Sequence, residues 1–353
     1  MRLLDNNPES IGIMRLSAIG DVCHAVSAVQ AIQNQYPEAK ITWIIGKVEA
    51  LLVGDLPGIE FIVFDKKLGF KAYRNLRQQL KGRQFDILLH MQLALRANIA
   101  ARLIPAKIKL GFHKQRAKEL HSLAVNHHIQ HEIGMHVLEG FRDFARAIGV
   151  EDTGPQWNIP IAEADLAWAK QHTPLSKDHR TYMVISPAAS KPERNWLTDR
   201  YAAIADYCHS KGIQVVITGT ANNRDISLSH DIVRQCEHPV IDLTGKTNLK
   251  QLLAVLKYAQ FVIAPDSGPA HMAVTQSTPV IGLYAHSNPK RTGPYLYLDY
   301  VADAYTANAT QALNLSAENL PWGYRLKGKD LMNHITVHQV QCLIDKLLQH
   351  INT

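Results

Sequence analysis

The sequence predicts an α/β protein built from two parallel-sheet domains, on three observations. Short apolar runs alternate with helical patterns, and the series occurs once in each half of the chain. The apolar runs are roughly four to eight residues long, as expected of strands covered on both faces. The chain has 353 residues, too many for one ordinary core. It suits two domains of about 150–180 residues each.

The elements follow in order. Strands are expected in the first half at Ile11–Leu16, Ile41–Gly46, Phe61–Phe64, Asp86–Met91 and Ile108–Phe112. After the first of these, Val22, Ala25, Val26, Val29 and Ile32 recur at three- and four-residue steps, one face of a helix. The second half repeats the alternation, with strands at Tyr182–Ser186, Gln214–Thr218, Val240–Leu243, Phe261–Ala264 and Val280–Tyr284. Leu249, Leu252, Leu253 and Leu256 mark a helix between the third and fourth of them. The segment Gly149–His179, rich in Pro, Asp and Gln, reads as a linker. Val337, Val340, Ile344, Leu347 and Leu348 mark a last helix. The expected division is a Rossmann-like first domain over 1–160 and a second over 175–330. The terminal helix, 336–350, is expected to pack back on the first domain.

Composition narrows the class. Hydrophobic residues make up 46% and charged residues 20%, which fits a globular protein rather than a disordered one. No stretch approaches the roughly 20 apolar residues of a membrane-spanning helix. The N-terminus MRLLDNNPESIG lacks the apolar core of a signal peptide, so a cytoplasmic location is expected. Cys23, Cys208, Cys236 and Cys342 form no CxxC pair, so neither a zinc site nor a redox motif is signalled, and reduced, mostly buried thiols are expected. The net charge of +7 points to an anionic partner: nucleic acid, phospholipid or phosphorylated sugar.

Ligands of open parallel sheets bind beyond the carboxyl ends of the strands, so a cleft between the two domains is the expected site. Three turns are placed to face it. The first is Ser17-Ala18-Ile19-Gly20-Asp21. Asp21 reads either as a helix cap or as a general base that takes a proton from a hydroxyl nucleophile. No GxGxxG is present there, which argues against a dinucleotide at this turn. The second turn runs from Ser186 to Trp196. Its small residues, the Ser190 hydroxyl, Lys191 and Arg194 suit a diphosphate, or form a solvated basic loop. The third is Ala264-Pro265-Asp266-Ser267-Gly268-Pro269-Ala270-His271, after a strand and opening a helix. Its backbone N–H groups offer an anion site, and its bland reading is a well-capped helix.

Other patterns fail. Gly245-Lys246-Thr247 resembles the end of a P-loop, but the required first glycine is Val240. In His131-Glu132…His136 the second histidine is five residues on, so the pair does not share the helix face of HExxH. The cluster His127, His128, His131 and His136 reads as a polar loop rather than a metal site. No Asp-x-Asp occurs, so no metal-bridged nucleotide-sugar site is signalled. Basic residues concentrate in the first domain, in one run from Lys66 to Arg83 and another from Lys107 to Lys118, with Arg96 between them. They read either as a solvated face or as a surface for an anionic acceptor. The runs lack interleaved aromatics and a recognition helix, which argues against nucleic acid.

These residues resemble a known family. Strand-Ser-Ala-Ile-Gly-Asp-Val-x-His near the N-terminus, with Asp-Ser-Gly-Pro-Ala-His late in the chain, looks like glycosyltransferase family 9, the ADP-heptose:lipopolysaccharide heptosyltransferases. The resemblance runs from Arg15 to the terminal helix. Met91–Arg96, Gly245–Leu249, Thr278–Tyr284 and Arg291–Tyr295 look most like the branch that adds heptose to a Kdo residue. The resemblance implies a GT-B fold and an inverting, metal-independent transfer from ADP-L-glycero-D-manno-heptose, with no cofactor. Asp21 matches the catalytic base. Ser190, Lys191 and Arg194 fall at the donor phosphates, Thr247 beside the adenine pocket, and Asp225 at an acid that holds the ribose. Asp266, Ser267, Gly268 and His271 match the ADP-binding turn. Gly20, His24, Arg96, Lys114 and Arg116 are assigned to the acceptor, Kdo–lipid A, on charge and position. The chain departs from many relatives in carrying Ala188-Ala189 where they have threonine or other small residues. Such an acceptor implies peripheral contact with the inner leaflet of the inner membrane. The rival readings are a GT-B transferase with another donor or acceptor, a silent binding protein, and a Rossmann oxidoreductase.

Overall fold

The computed structural model describes residues 3, 4, 6–130, 134–175 and 182–351. His131 and Glu132, and residues 176–181, which include the end of the expected linker, lie outside them. The chain divides into two compact units, Met1–Pro160 and Ile161–Thr353.

The first unit runs β1 (Ser10–Met14), α1 (Ile19–Gln35), β2 (Lys40–Gly46), α2 (Lys47–Val53), β3 (Ile59–Phe64), α3 (Phe70–Gln79), β4 (Phe85–His90), α4 (Leu95–Leu103), β5 (Ala106–Gly111), β6 (His127–His128) and α5 (Val137–Ala147). Its six-stranded sheet has the order β3-β2-β1-β4-β5-β6, and each pairing is parallel. The order reverses between β1 and β4, the place where such sheets bind ligands. Met14, Ile44, Leu88, Ala97 and Ala101 pack into one of the cores beside this sheet. In α1 the predicted face Val22, Ala25, Val26, Val29 and Ile32 is buried.

The second unit runs α6 (Glu163–His172), β7 (Tyr182–Ile185), α7 (Thr198–Ser210), β8 (Gln214–Ile217), α8 (Asn223–Gln235), β9 (Ile241–Asp242), α9 (Leu249–Tyr258), β10 (Val262–Pro265), α10 (Gly268–Thr275), β11 (Val280–Tyr284), α11 (Pro289–Thr292), β12 (Val301–Asp303), α12 (Tyr305–Leu313) and α13 (Val337–Ile351). Its sheet order is β12-β11-β10-β7-β8-β9, again parallel, with the reversal between β10 and β7.

The terminal helix differs from expectation. Val340, Ile344 and Leu347 of α13 are buried among Tyr201, Ile204, Leu283 and Ala302 of the second unit. The approach to α13 is fixed there, because Trp196 Nε1 donates to the Ile335 carbonyl at 3.0 Å and Arg200 Nη1 to the Asn333 carbonyl at 2.7 Å. Asp345 accepts from the Tyr207 hydroxyl at 2.7 Å and pairs with Lys211 at 3.0 Å. The apolar stripe therefore belongs to the second core and not to the first.

The expected linker is also divided. Trp157 Nε1 donates to the Cys23 carbonyl at 2.8 Å, and Asn158 exchanges two 2.9 Å bonds with Gln30, so this part belongs to the first unit. Helix α6 packs on α9 in the second. Of the histidines expected in a polar loop, His127, His128 and His136 are structured too. His127 and His128 pair with Leu110 and Gly111, and His136 is buried at the start of α5, where its Nδ1 accepts from Leu138 N–H at 3.1 Å. The cysteines are free thiols, with Cys23 and Cys208 buried, Cys236 half-buried and Cys342 exposed.

Candidate functional site

In the first unit the site is built on the switch point. β1 ends at Met14, and Arg15 and Leu16 continue along the carboxyl edge of the sheet. Arg15 is buried and its Nη1 donates to the Met91 carbonyl, beyond β4, at 2.6 Å. Leu16 N–H donates to Gln92 Oε1 at 2.7 Å, and Gln92 Nε2 donates to the Ser17 hydroxyl at 3.3 Å. The two loops at the reversal are thus bonded to one another. Gly46 brings the end of β2 against the same turn, its N–H donating to the Leu16 carbonyl at 3.0 Å. A Cβ at Gly46 would run into that carbonyl.

Asp21 lies in the first turn of α1. One carboxylate oxygen pairs with Arg15 Nη2 and accepts from Ala18 N–H at 3.4 Å. Asp21 is not the cap residue, which is Ala18; it stands three residues further on and its carboxylate reaches back to the cap residue's N–H. The Asp21 side chain keeps 36% exposure, so the carboxylate is fixed from below and open above. Burial pulls the Arg15 guanidinium below its usual value, and the Asp21 charge pulls it part of the way back. The guanidinium also stands 5.2 Å above the Phe141 ring.

The other first-unit residues separate into two groups. Gly20 is half-buried beside Asp21. Arg96 is exposed at the start of α4, and Lys114 is exposed in the loop after β5. Arg116 is half-buried with its guanidinium 4.6 Å over the Phe112 ring. His24 differs from the acceptor role read for it: it is 3% exposed and packs edge-on against His136 at 5.5 Å, inside the buried face of α1.

A buried hub holds the loops that carry Arg96, Lys114 and Arg116. Asn98 Oδ1 accepts from His90 Nε2 at 2.8 Å and His121 Nδ1 at 3.0 Å. Asn98 Nδ2 donates to the Leu93 and Glu119 carbonyls at 3.0 and 2.7 Å. His121 Nε2 accepts from Phe112 N–H at 3.1 Å, which fixes its tautomer. Burial, then the neighbouring His121, pushes His90 down to about 3. Burial, then His128, pushes His121 down to about 4.

In the second unit the loops after β7 and β10 are neighbours at the reversal. Arg194 Nη1 stands 3.7 Å from Asp266 Oδ2, with both side chains mostly buried. The Ser287 hydroxyl donates to Asp266 at 2.8 Å, and His271 Nε2 lies 3.8 Å from its other oxygen. Burial raises the Asp266 carboxyl, but His271, Ser287 and Arg194 together hold it below the usual carboxylate range. Gly268 and Pro269 open α10, and Ser267 is its cap residue. The Ser267 hydroxyl is buried and has no hydrogen-bond partner among the described residues. Arg194, Asp266, Ser267, His271 and Ser287 are thereby gathered with the N-terminal end of α10 at one edge of the sheet.

The neighbouring loops complete this edge. Ser190 and Lys191 are exposed, and Arg194 closes a single 3-10 turn, Pro192–Arg194. Asn195 Oδ1 accepts from Ala189 N–H at 2.8 Å. Arg224, missed in the sequence, reaches this loop. Its Nη2 donates to the Ala189 carbonyl at 2.8 Å and its Nη1 to the Ser190 carbonyl at 3.3 Å. Asp225 differs from the ribose role read for it. It is 5% exposed, and its oxygens accept from Thr220 N–H at 3.1 Å, Thr220 Oγ1 at 2.7 Å and the Arg224 guanidinium at 3.3–3.4 Å. It braces the turn and carries Arg224. Thr247 is half-buried just before the cap of α9, Asn248. Gly245 has φ +74° and donates to the Gly219 carbonyl at 2.9 Å, so it joins the loops after β8 and β9.

One group among the described residues has metal-ligand spacing, Asp206, Glu237 and His238. It sits at the opposite edge of the sheet, where Asp206 accepts from the Glu237 and His238 backbone N–H groups at 3.0 Å. No helix is long and apolar enough to cross a membrane, among the described residues.

The model of glycosyltransferase family 9 (heptosyltransferase) matches residues 73–320. The chain belongs to that family. It is a glycosyltransferase with two parallel-sheet units of GT-B type. It is 44% identical over 347 residues to the lipopolysaccharide core heptosyltransferase OpsX of Haemophilus influenzae, covering 98% of this chain and 99% of that one. Among solved structures, the family 9 glycosyltransferase of Veillonella parvula superposes with a TM-score of 0.79 at 22% identity, covering 97% of each chain. The Escherichia coli heptosyltransferase WaaC with ADP superposes with a TM-score of 0.70 at 19% identity, covering 96% of this chain and 99% of that chain. The sequence motifs that suggested the family are the ones that supply Asp21 and the Asp266–His271 turn.

Proposed function

We propose that this glycosyltransferase moves L-glycero-D-manno-heptose from ADP-heptose to a Kdo residue of the lipopolysaccharide inner core, with inversion and without a metal. The acceptor is Kdo–lipid A, and the enzyme works in the cytoplasm against the inner leaflet. The observation that carries the reading is the Asp21 carboxylate, held by buried Arg15 at the sheet reversal and open to solvent on its other side.

Asp21 takes the proton of the acceptor hydroxyl as its oxygen attacks the anomeric carbon. The heptose–phosphate bond breaks, and ADP leaves with the bonding electrons. A general base of this kind contributes about 10²–10⁴-fold in rate. The leaving diphosphate gains charge as it departs. Arg194, Ser190, Lys191 and the amides at Gly268 supply the stabilisation that a metal would otherwise give. The orphaned Ser267 hydroxyl takes a place among the nucleotide contacts. Thr247 lies by the base. Gly20, Arg96, Lys114 and Arg116 meet the anionic acceptor. Identity of 44% over nearly the whole chain to a lipopolysaccharide core heptosyltransferase supports the donor and the acceptor class.

The test is transfer from ADP-heptose in EDTA to Kdo–lipid A, with and without a Kdo phosphate, beside a core that already carries heptose. Product on Kdo in EDTA supports the reading, and the preferred form fixes the acceptor. Product only on the heptose-bearing core replaces Kdo with heptose. No product with tight ADP binding sends the search to other donors and acceptors.

A further inference from the structure

Between Lys66 and Arg83 every charged residue is basic. Helix α3 lies inside this stretch and divides it by face. Ala72, Leu76 and the following Leu80 are buried in the first core. On another side, Phe70, Arg74, Arg77 and Lys81 follow one another at four-, three- and four-residue steps and are exposed. Phe70 is 93% exposed, the most exposed large apolar side chain among the described residues, and Leu68 just before it is 45% exposed. At the other end, Arg74, Arg77 and Lys81 join Arg102 of α4 around an open groove of about 730 Å³. The carboxylates of this region are engaged by other cations, Glu60 by Arg83 and Asp86 by Lys107. Among the described residues none of the four groove cations is in an ion pair.

The geometry points to α3 as a docking face for an anionic bilayer surface. Phe70 and Leu68 enter the headgroup boundary, and Arg74, Arg77, Lys81 and Arg102 meet lipid phosphates. Charge complementarity and a naked aromatic on one line favour a bilayer over a soluble polyanion: a polyanion uses the cations and has no use for Phe70. The placement also fits the chemistry. Phe70 begins α3 just beyond the end of β3, on the carboxyl edge of the sheet that carries Asp21. A lipid-borne acceptor would then be presented at that edge. The inference names the surface behind the peripheral contact proposed above. Its assay needs no transfer, so it fails or holds independently of donor and acceptor.

The experiment is co-sedimentation of the full chain with vesicles of phosphatidylcholine, alone or mixed with phosphatidylglycerol. The intact protein is expected on the anionic vesicles only, and release is expected as salt rises. Joint Arg74→Gln, Arg77→Gln and Lys81→Gln substitution is expected to weaken binding about 100-fold. Phe70→Ala is expected to weaken it about tenfold. Joint Lys257→Gln, Lys327→Gln and Lys329→Gln substitution changes net charge equally on exposed sites of the second unit and is expected to bind as the intact protein does. All these positions are exposed, and circular dichroism checks that the variants fold. No binding to anionic vesicles overturns the proposal, as does equal binding by the Arg74/Arg77/Lys81 variant. Competition by soluble polyphosphate together with an unaffected Phe70→Ala variant also overturns it, and assigns the groove to a polyanion.

Discussion

Arg15 and Asp21 form an ion pair that closes the turn between β1 and α1. Arg15 is buried, and its other terminal nitrogen, Nη1, donates to the Met91 carbonyl at 2.6 Å. The pair therefore fixes the carboxylate relative to both loops at the sheet reversal. Asp21→Asn keeps an acceptor for Ala18 N–H and removes the charge. Transfer is expected to fall about 10²–10⁴-fold. Stability is expected to fall by about 1–3 kcal/mol, because a buried guanidinium loses its counter-charge. ADP binding, followed by calorimetry, is expected to be unchanged. Lost ADP binding with residual transfer would remove Asp21 from the base role.

Arg194 and Asp266 connect the loops after β7 and β10 at 3.7 Å. Arg194→Ala is expected to raise the donor KM about 10–100-fold, the range of a lost charge-assisted contact. Steady-state kinetics with varied ADP-heptose measures this. Unchanged donor kinetics would take Arg194 out of the phosphate site.

Arg224 acts on the same loop through its backbone. Removing its donors in Arg224→Met frees the Ala189 and Ser190 carbonyls. The donor KM is expected to rise several-fold, with acceptor KM unchanged, and Arg224→Lys is expected to restore part of it. Equal effects on both substrates would point to general loss of structure instead.

His90 and His121 set an acid limit on the fold. Both are neutral in the folded state, with values of about 3 and about 4 against 6.5 for the free side chain. Between these values and 6.5 the unfolded chain binds more protons than the folded one. The stability they contribute is complete above pH 6.5 and is lost as pH falls toward 4. The loss is expected to reach about 2 kcal/mol per histidine by pH 5. Urea unfolding across this range measures it. A stability flat from pH 7 to 5 would show that the pair is not buried neutral. Asn98→Ala is expected to lower stability at every pH, since four partners, two of them buried histidines, lose their bonds at once.

The legible parts of the fold were those with enough residues to show a period. The α1 face from Val22 to Ile32 and the leucines of α9 repeat often enough to fix both type and buried side. β6 is a pair of histidines and β12 three residues, and neither lies in an apolar run that reads as a strand. Asp21 and the Asp266–His271 turn were legible because their residue types are unusual where a strand meets a helix. Arg224 and Ser287 were not, because each acts on a partner more than 20 residues away. His24 and Asp225 were misread for the converse reason. Their chemistry suits a ligand, but folding buries both and gives their groups protein neighbours.

The sequence by itself determined the two parallel α/β units, the family and the residues at the strand ends, because periodicity and turn chemistry are local. Only the tertiary structure decided where those residues point and whom they meet. The stripe of α13 is apolar whichever core receives it, and Trp196 and Arg200 hold it to the second. Arg15 sits at the end of an apolar run in the sequence, and the reversal of strand order makes it the buried cation that holds Asp21. Such contacts depend on which strands lie side by side, and that is fixed by packing whole layers together rather than by any short stretch of chain.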